Sequence, residues 1–274
     1  PNYKEYLNKK LISRISPQNL IFMDEACKKS HMVYYNEDFE DAPIVPLPMN
    51  IAGHRLSEKY IKSKVVSVGR LTRFKRYPIG VMRAMHRLKQ NNALHFQYHI
   101  IGAGSEFKRI KKWAAELKLE NDVIFHGTVP YDKINDIIKD AYCFIGMGTT
   151  VGEAAGIGLP SLVAIIDQED HSYGFLGRLP HNIVGEPGED IEPINYLTSF
   201  EAIYKMSETE YATEQKLSIE QASFYSIENI AGLFIKAFEK GKNWKLKISF
   251  FSNIFYLLSK IQLKFFIKKE YRHK

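Results

Sequence analysis

The sequence predicts an α/β fold, a doubly wound parallel sheet with helices on both faces, in the middle of a 274-residue chain. Three observations carry this. Between residues 64 and 166, short apolar runs rich in β-branched residues alternate with stretches of helical periodicity. Four of the runs end at or near a glycine: Gly69, Gly102, Gly127 and Gly146. The composition, 45% apolar and 25% charged, belongs to a chain that can bury a full core without staples, and it excludes a disordered, collagenous or fibrous protein.

Taken in order, Tyr3 to Ile15 has the spacing of a charged amphipathic helix, and no signal peptide is visible. With Pro1 where an initiator Met would stand, the numbering is expected to begin inside a longer protein. Leu20 to Met23 is a short apolar run followed by a polar, helix-like stretch. Ala42 to Met49 contains Pro43, Pro46 and Pro48 and suits an extended connector. This opening region is expected to be too short to hold a core of its own.

The alternating region then reads as follows. Lys64 to Val68 is a buried strand and Ile79 to Leu88 an amphipathic helix. His95 to Ile101 is the second strand and Ser105 to Leu117 the second helix. Asp122 to Phe125, Tyr131 to Lys139, Tyr142 to Ile145, a short helix from Thr150 to Gly156, and Ser161 to Ile165 complete the series. In such sheets ligands sit outside the carboxyl ends of the strands, so the strand-end glycines mark the expected site. Residues 167–240 begin with a loop-rich stretch and continue with two helical segments, near 193–206 and 226–239.

The formal charge of +7 is unevenly placed. Residues 241–274 carry nine basic residues against one acid, Glu270, and the rest of the chain sums to −1. A nucleic-acid binder spreads its basic footprint over the folded body, so no nucleic-acid partner is expected. The basic segment is also apolar, but its longest uncharged run, Ile248 to Ser259, is twelve residues. A bilayer span needs about 20. Two readings stay open: an amphipathic helix on an anionic membrane surface, or a helix packed on protein. Cys27 and Cys143 can form neither a disulfide framework nor a four-ligand zinc site, which predicts reduced thiols in a reducing, cytoplasmic compartment. No cluster of His and carboxylates has the spacing of a metal site.

Three clusters can carry chemistry. Arg70 and Lys75 follow the first strand end at Gly69, where fixed cations and the next helix can meet a phosphate. Gly102 and Gly104 either let backbone approach a ligand or make a tight turn. From Gly146 a glycine-rich turn runs into a helix, and free N–H groups around Gly148, Thr149 and Thr150 can bind a diphosphate. Glu153 has two readings: an acceptor for sugar hydroxyls, or the far end of a capping box begun by Thr150.

The ordered series is Gly69-Arg70-Leu71 with Lys75, then Gly102-Ala103-Gly104, Phe125 to Val129, and Glu153-Ala-Ala with Gly158 and Pro160. Over about residues 60–166 it resembles glycosyltransferase family 4, and more widely the C-terminal, donor-binding domain of GT-B glycosyltransferases. The resemblance implies that Arg70 and Lys75 neutralise the diphosphate of a nucleoside-diphosphate sugar. It implies that Thr128 and Val129 meet the nucleobase and that Glu153 holds the ribose. It also implies retention of anomeric configuration, no further cofactor, and a glycan or lipid-linked acceptor in bacterial surface polysaccharide or lipopolysaccharide assembly. On that basis residues 1–50 are the end of an acceptor domain plus a linker, 51–240 the donor domain, and 241–274 a basic amphipathic helix at the inner face of the membrane.

Three departures accompany it. The family's first glutamate, eight residues before the second, is Ile145 here. Arg76 replaces a glycine and offers an extra phosphate contact. Most of the N-terminal acceptor domain is expected to lie outside this sequence, and no nucleophile or general base can be assigned, although His126 and His171 are candidates for a polar role. Two rivals therefore stand beside a transferase: an epimerase or hydrolase of the same scaffold, and a non-catalytic binding module.

Overall fold

The computed structural model describes residues 3–51, 60–91, 93–188 and 190–242. The C-terminal helix expected over 241–274 lies, from residue 243 onward, outside them.

A seven-stranded sheet has the order β3-β2-β1-β4-β5-β6-β7. The first five strands of the chain are parallel: β1 (Ile61–Val68), β2 (Gln97–Ile101), β3 (Val123–Gly127), β4 (Ala141–Gly146) and β5 (Ser161–Ala164). They are joined by helices α3 (Tyr77–Gln90), α4 (Phe107–Glu116), α5 (Tyr131–Ile138) and α6 (Thr149–Gly156). Helix α3 begins two residues before the predicted start, because Pro78 fits the first helical turn, where its missing N–H is not needed.

Side chains alternate between two cores, as strand geometry requires. Val65, Tyr98 and Ile100 face one side, packed with Met82 and Leu88 of α3 and Ile110 of α4. Val66 and Ile101 face the other, with Ile138 of α5 and Val151 and Ala155 of α6. Helices therefore cover both faces, as expected.

Beyond β5 the chain departs from the loop-rich reading. β6 (His171–Phe175) and β7 (Ile194–Asn195) add an antiparallel edge to the sheet. After α7 (Tyr196–Lys205) comes a helix with no counterpart in the sequence reading, α8 (Glu208–Ser223). Its N-terminus is a complete capping box between Ser207 and Glu210. It buries Glu214, Gln215, Ser218 and Gln221, so a polar face points inward. Gln221 donates to the Leu179 carbonyl at 2.9 Å, and Arg178 bonds the fully buried Glu214 at 2.6 Å.

The N-terminal residues form α1 (Tyr3–Ile12) and α2 (Glu25–Tyr35), the latter capped by Asp24, whose carboxylate accepts from the Cys27 N–H at 2.6 Å. Contrary to expectation, this region has a small apolar cluster of its own, with Phe22, Phe39 and Ala42 buried among Leu20, Met32 and Tyr35. The connector is extended, as the prolines predict, and Val45 packs on Ile230 and Ala237 of α9 (Ile227–Lys240). Between this layer and α9 runs an apolar groove of about 850 Å³, lined by Leu20, Phe22, Leu47, Ile230 and Phe234. The connector then reaches the sheet: the Met49 N–H donates to the Tyr225 carbonyl at 2.9 Å. No helix of the described residues is long and apolar enough to cross a membrane.

Candidate functional site

The strand order reverses between β1 and β4. Connections there leave on opposite faces and open a crevice beyond the carboxyl ends of the strands. The register lines those ends up: Val68 pairs with Ile101, Ile101 with Gly127, and Gly146 with Val163. Arg70, Thr128, Val129 and the turn from Gly146 to Thr150 therefore all leave one edge of the sheet.

Three of the loops at this edge are stitched together by backbone bonds. The Gly69 N–H donates to Ile101, Leu71 to Ala103, Glu106 to Leu71, and Gly102 to Gly127, at 2.7–3.0 Å. This settles the two readings of Gly102 and Gly104. A Cβ on Gly102 would stand 1.9 Å from the Gly69 carbonyl oxygen, and one on Gly104 2.2 Å from that of Leu71. Both glycines thus serve a tight loop-to-loop contact.

Arg70 and Lys75 are the cations of the first loop. Arg70 is exposed, and among the described residues neither it nor Lys75 is paired with a carboxylate. The Lys75 ammonium lies over Gly69, 3.0 Å from where a Cβ would stand there. Burial first, and the charge of Arg70 second, hold the Lys75 pKa below the usual lysine range. Two like charges kept near each other, without a counter-charge among the described residues, are an arrangement that can take an anion.

Arg76 does not join them, contrary to the expected extra phosphate contact. It pairs with Glu169, which also takes Arg83 at 2.9 Å, and Arg83 reaches Asp170 at 3.1 Å. Arg76 thus ties the start of α3 to the turn after β5.

At the end of β4 the backbone of Gly148 has φ 68 and ψ −146, a conformation open essentially only to glycine, and nothing lies within 4 Å of where a Cβ would point. Its N–H donates to the Val184 carbonyl at 2.7 Å, so, contrary to expectation, it is not among the N–H groups open to a diphosphate. The first turn of α6 has no side-chain cap. Thr150 donates its hydroxyl to the Met147 carbonyl at 3.2 Å instead of pairing with Glu153. The capping-box reading of Glu153 is therefore wrong. N–H groups at Thr149 and Thr150, without a capping side chain, begin a helix beside open space.

The half-buried Glu153 turns outward to accept a hydrogen bond from the Tyr131 hydroxyl at 3.1 Å, and that hydroxyl accepts from the Asn50 amide at 3.3 Å. Burial raises the Glu153 pKa, while bonds from Tyr131 and the Asn50 backbone draw it back down. Thr128 is exposed at the end of β3, and Val129 packs on the second core. Ile145, eight residues before Glu153, is a fully buried residue inside β4, opposite Leu162, and cannot face a ligand.

The two histidines go elsewhere. His126 stacks beside His99, with their ring nitrogens 3.0 Å apart. His171 begins β6, two strands beyond β4, and lines a polar pocket of about 300 Å³ with Arg83 and Asp170. Among the described residues no three His, Cys, Asp or Glu side chains gather as metal ligands. Tyr131, Asn50 and Val184 are site residues that the sequence reading passed over. Only Tyr131 had a local signal, because it follows Val129 and Pro130 at a helix start.

Residues 55–165, less than half of the chain, match the family model described as Glycosyl transferases group 1. No curated protein sequence matches the chain. Among solved structures, a mutant of TarM from S. aureus in complex with fondaparinux, alpha-GlcNAc-glycerol and UDP superposes with a TM-score of 0.60 at 20% identity, covering 81% of this chain and 44% of that one. The lipopolysaccharide outer core galactosyltransferase WaaB, in its apo form, gives 0.54 at 17%, covering 80% and 61%. A glycosyltransferase from Rickettsia africae gives 0.63 at 16%, covering 89% and 68%. The chain thus spans about half to two thirds of these structures. The likeness shows a shared fold, the Rossmann-like architecture of GT-B glycosyltransferases.

Proposed function

We propose that this chain is the donor-nucleotide half of a glycosyltransferase that takes a sugar from a nucleoside diphosphate and passes it to a glycan or lipid-linked acceptor. The observation that carries the reading is the pair Arg70 and Lys75, free of carboxylates among the described residues and set at the switch point beside the uncapped start of α6. Breaking a sugar–phosphate bond develops negative charge on the departing diphosphate. Fixed cations and the backbone N–H groups of Thr149 and Thr150 stabilise that charge as it forms, without reorganising. Glu153 accepts from the ribose hydroxyls, and Thr128 and Val129 border the base.

Placement in family 4, retention of configuration and a role in bacterial surface polysaccharide or lipopolysaccharide assembly belong to the same proposal. They draw support from the ordered motif series, from the alpha-GlcNAc-glycerol and UDP bound to the TarM mutant, and from the lipopolysaccharide outer core galactosyltransferase activity named for WaaB. The basic segment 241–274 would then hold the protein at an anionic membrane surface. Equal liposome binding by the intact chain and by a chain ending at residue 242 would remove that element.

The test is a thermal-shift titration with UDP, GDP, CDP, ADP and dTDP on the parent, Arg70→Ala and Glu153→Ala. A nucleotide at a hundred times its dissociation constant stabilises by about 2.7 kcal/mol. One nucleotide should shift the parent and not the variants. No shift with any of them overturns the reading. Product analysis with and without acceptor then separates transfer from epimerisation or hydrolysis of the same donor.

A further inference from the structure

We infer that Tyr131 is a positioning residue for the nucleotide's ribose, holding the Glu153 carboxylate in place, and that Asn50 of the connector sets Tyr131. The inference rests on the reading of Glu153 as the ribose acceptor.

Three segments distant in sequence meet here: the connector, the start of α5 and the first half of α6. Each is fixed independently. Pro130, at φ −54 and ψ 142, turns the chain into α5, so Tyr131 is its first residue. Asn50 is held between two anchors. Met49 fills the space where Gly152 has no Cβ, at 2.1 Å, and Ile51 does the same at Gly156, at 2.8 Å. Both glycines lie on the helix that carries Glu153. The Asn50 amide therefore arrives at the Tyr131 hydroxyl from a backbone already seated on α6.

The hydroxyl is the engaged part of Tyr131; the residue is 60% exposed. It accepts from Asn50 and donates to Glu153 Oε1, so its single proton is committed to the carboxylate. An ionised carboxylate has about four acceptor positions. Tyr131 takes one and the Asn50 backbone N–H another, which leaves the remaining lone pairs for a vicinal diol. A diol needs both hydroxyls met at once, so it gains from a carboxylate whose rotation is already stopped. A nucleotide lacking the diol gains nothing from that.

Tyr131→Phe keeps the ring and removes the bond. The measurement is calorimetric binding of the nucleoside diphosphate found by titration, against its 2′,3′-dideoxy counterpart, on the parent, Tyr131→Phe and Asn50→Ala. The parent should prefer the ribonucleotide. In Tyr131→Phe that preference should fall by about two- to tenfold, the scale of one ordinary hydrogen bond, with dideoxy affinity unchanged. Asn50→Ala should move the ratio in the same direction by less. An unchanged ratio in Tyr131→Phe overturns the inference, and so does an equal loss for both nucleotides, which would mark a merely structural role. A parent that binds no nucleotide overturns the underlying reading instead.

Discussion

Arg76 is bound to Glu169, 93 positions further along the chain, while Arg70, six residues before it in the same loop, meets no carboxylate among the described residues. The pairing divides one basic stretch into a structural cation and an available one. Arg70→Ala should abolish stabilisation by the bound nucleotide and leave the unliganded melting temperature nearly unchanged. Arg76→Ala should do the opposite, costing about 1 kcal/mol because the Arg76 side chain is partly exposed. Melting curves with and without nucleotide on both variants check this.

The glycines of the edge loops should separate in the same way. Gly102→Ala drives a methyl into the Gly69 carbonyl and should cost about 2–4 kcal/mol in urea unfolding, with weaker ligand binding only as a consequence. At Gly148 there is room, but the backbone conformation excludes a Cβ. Gly148→Ala should cost about 1–3 kcal/mol of local strain and reduce nucleotide affinity even in the folded protein.

The His99 and His126 pair predicts how stability depends on acid. Burial first, then Lys64, lowers both pKa values, with His126 adding to the effect on His99, which falls to about 4. Against an unfolded value near 6.5, the unfolded chain binds protons at higher pH than the folded one. Stability is therefore intact above pH about 6.5 and falls as pH drops toward about 4. Asp122 acts lower down. Its burial raises the pKa, but bonds from Lys89 and His95 outweigh this and depress it, so its contribution is lost below the ordinary carboxylate range. Urea midpoints from pH 4.5 to 7.5 should slope upward in the parent and be flatter in His99→Phe.

Arg178 and Glu214 predict a strong context effect. Glu214 is wholly buried, and Arg178 bonds one of its oxygens. Arg178→Ala leaves a buried carboxylate without its partner and should cost about 3 kcal/mol. Adding Glu214→Gln to that variant should return most of the loss, measured by urea unfolding of both.

Four of the five parallel strands were legible because each combines a β-branched or aromatic run with a nearby glycine turn, and both signals are local; β5 was legible from its apolar run alone. α8 was not legible. Its inward face holds Glu214, Gln215, Ser218 and Gln221, whose burial depends on partners such as Arg178 and the Leu179 carbonyl in a distant turn. β6 and β7 were hidden by the shortness of β7 and by Gly174 inside β6 with Gly177 just after it. Arg70 and Lys75 could be found from their place after a strand. The exclusion of Arg76 could not, because Glu169 approaches it only once β5 stands beside β4. Asn50 joins Tyr131 for the same reason, through packing of the connector on Gly152 and Gly156.

The backbone bonds among the loops after β1, β2 and β3 have a thermodynamic consequence. The N–H groups of Gly69, Leu71, Gly102 and Glu106 find their partners in the carbonyls of Ile101, Ala103, Gly127 and Leu71. The cradle is thus rigid through contacts that require no guest. A ligand entering it need not freeze three independent segments, and little of its interaction energy is diverted into immobilising the chain. Association should then be fast, with an entropy change dominated by the ligand and its released water rather than by the protein.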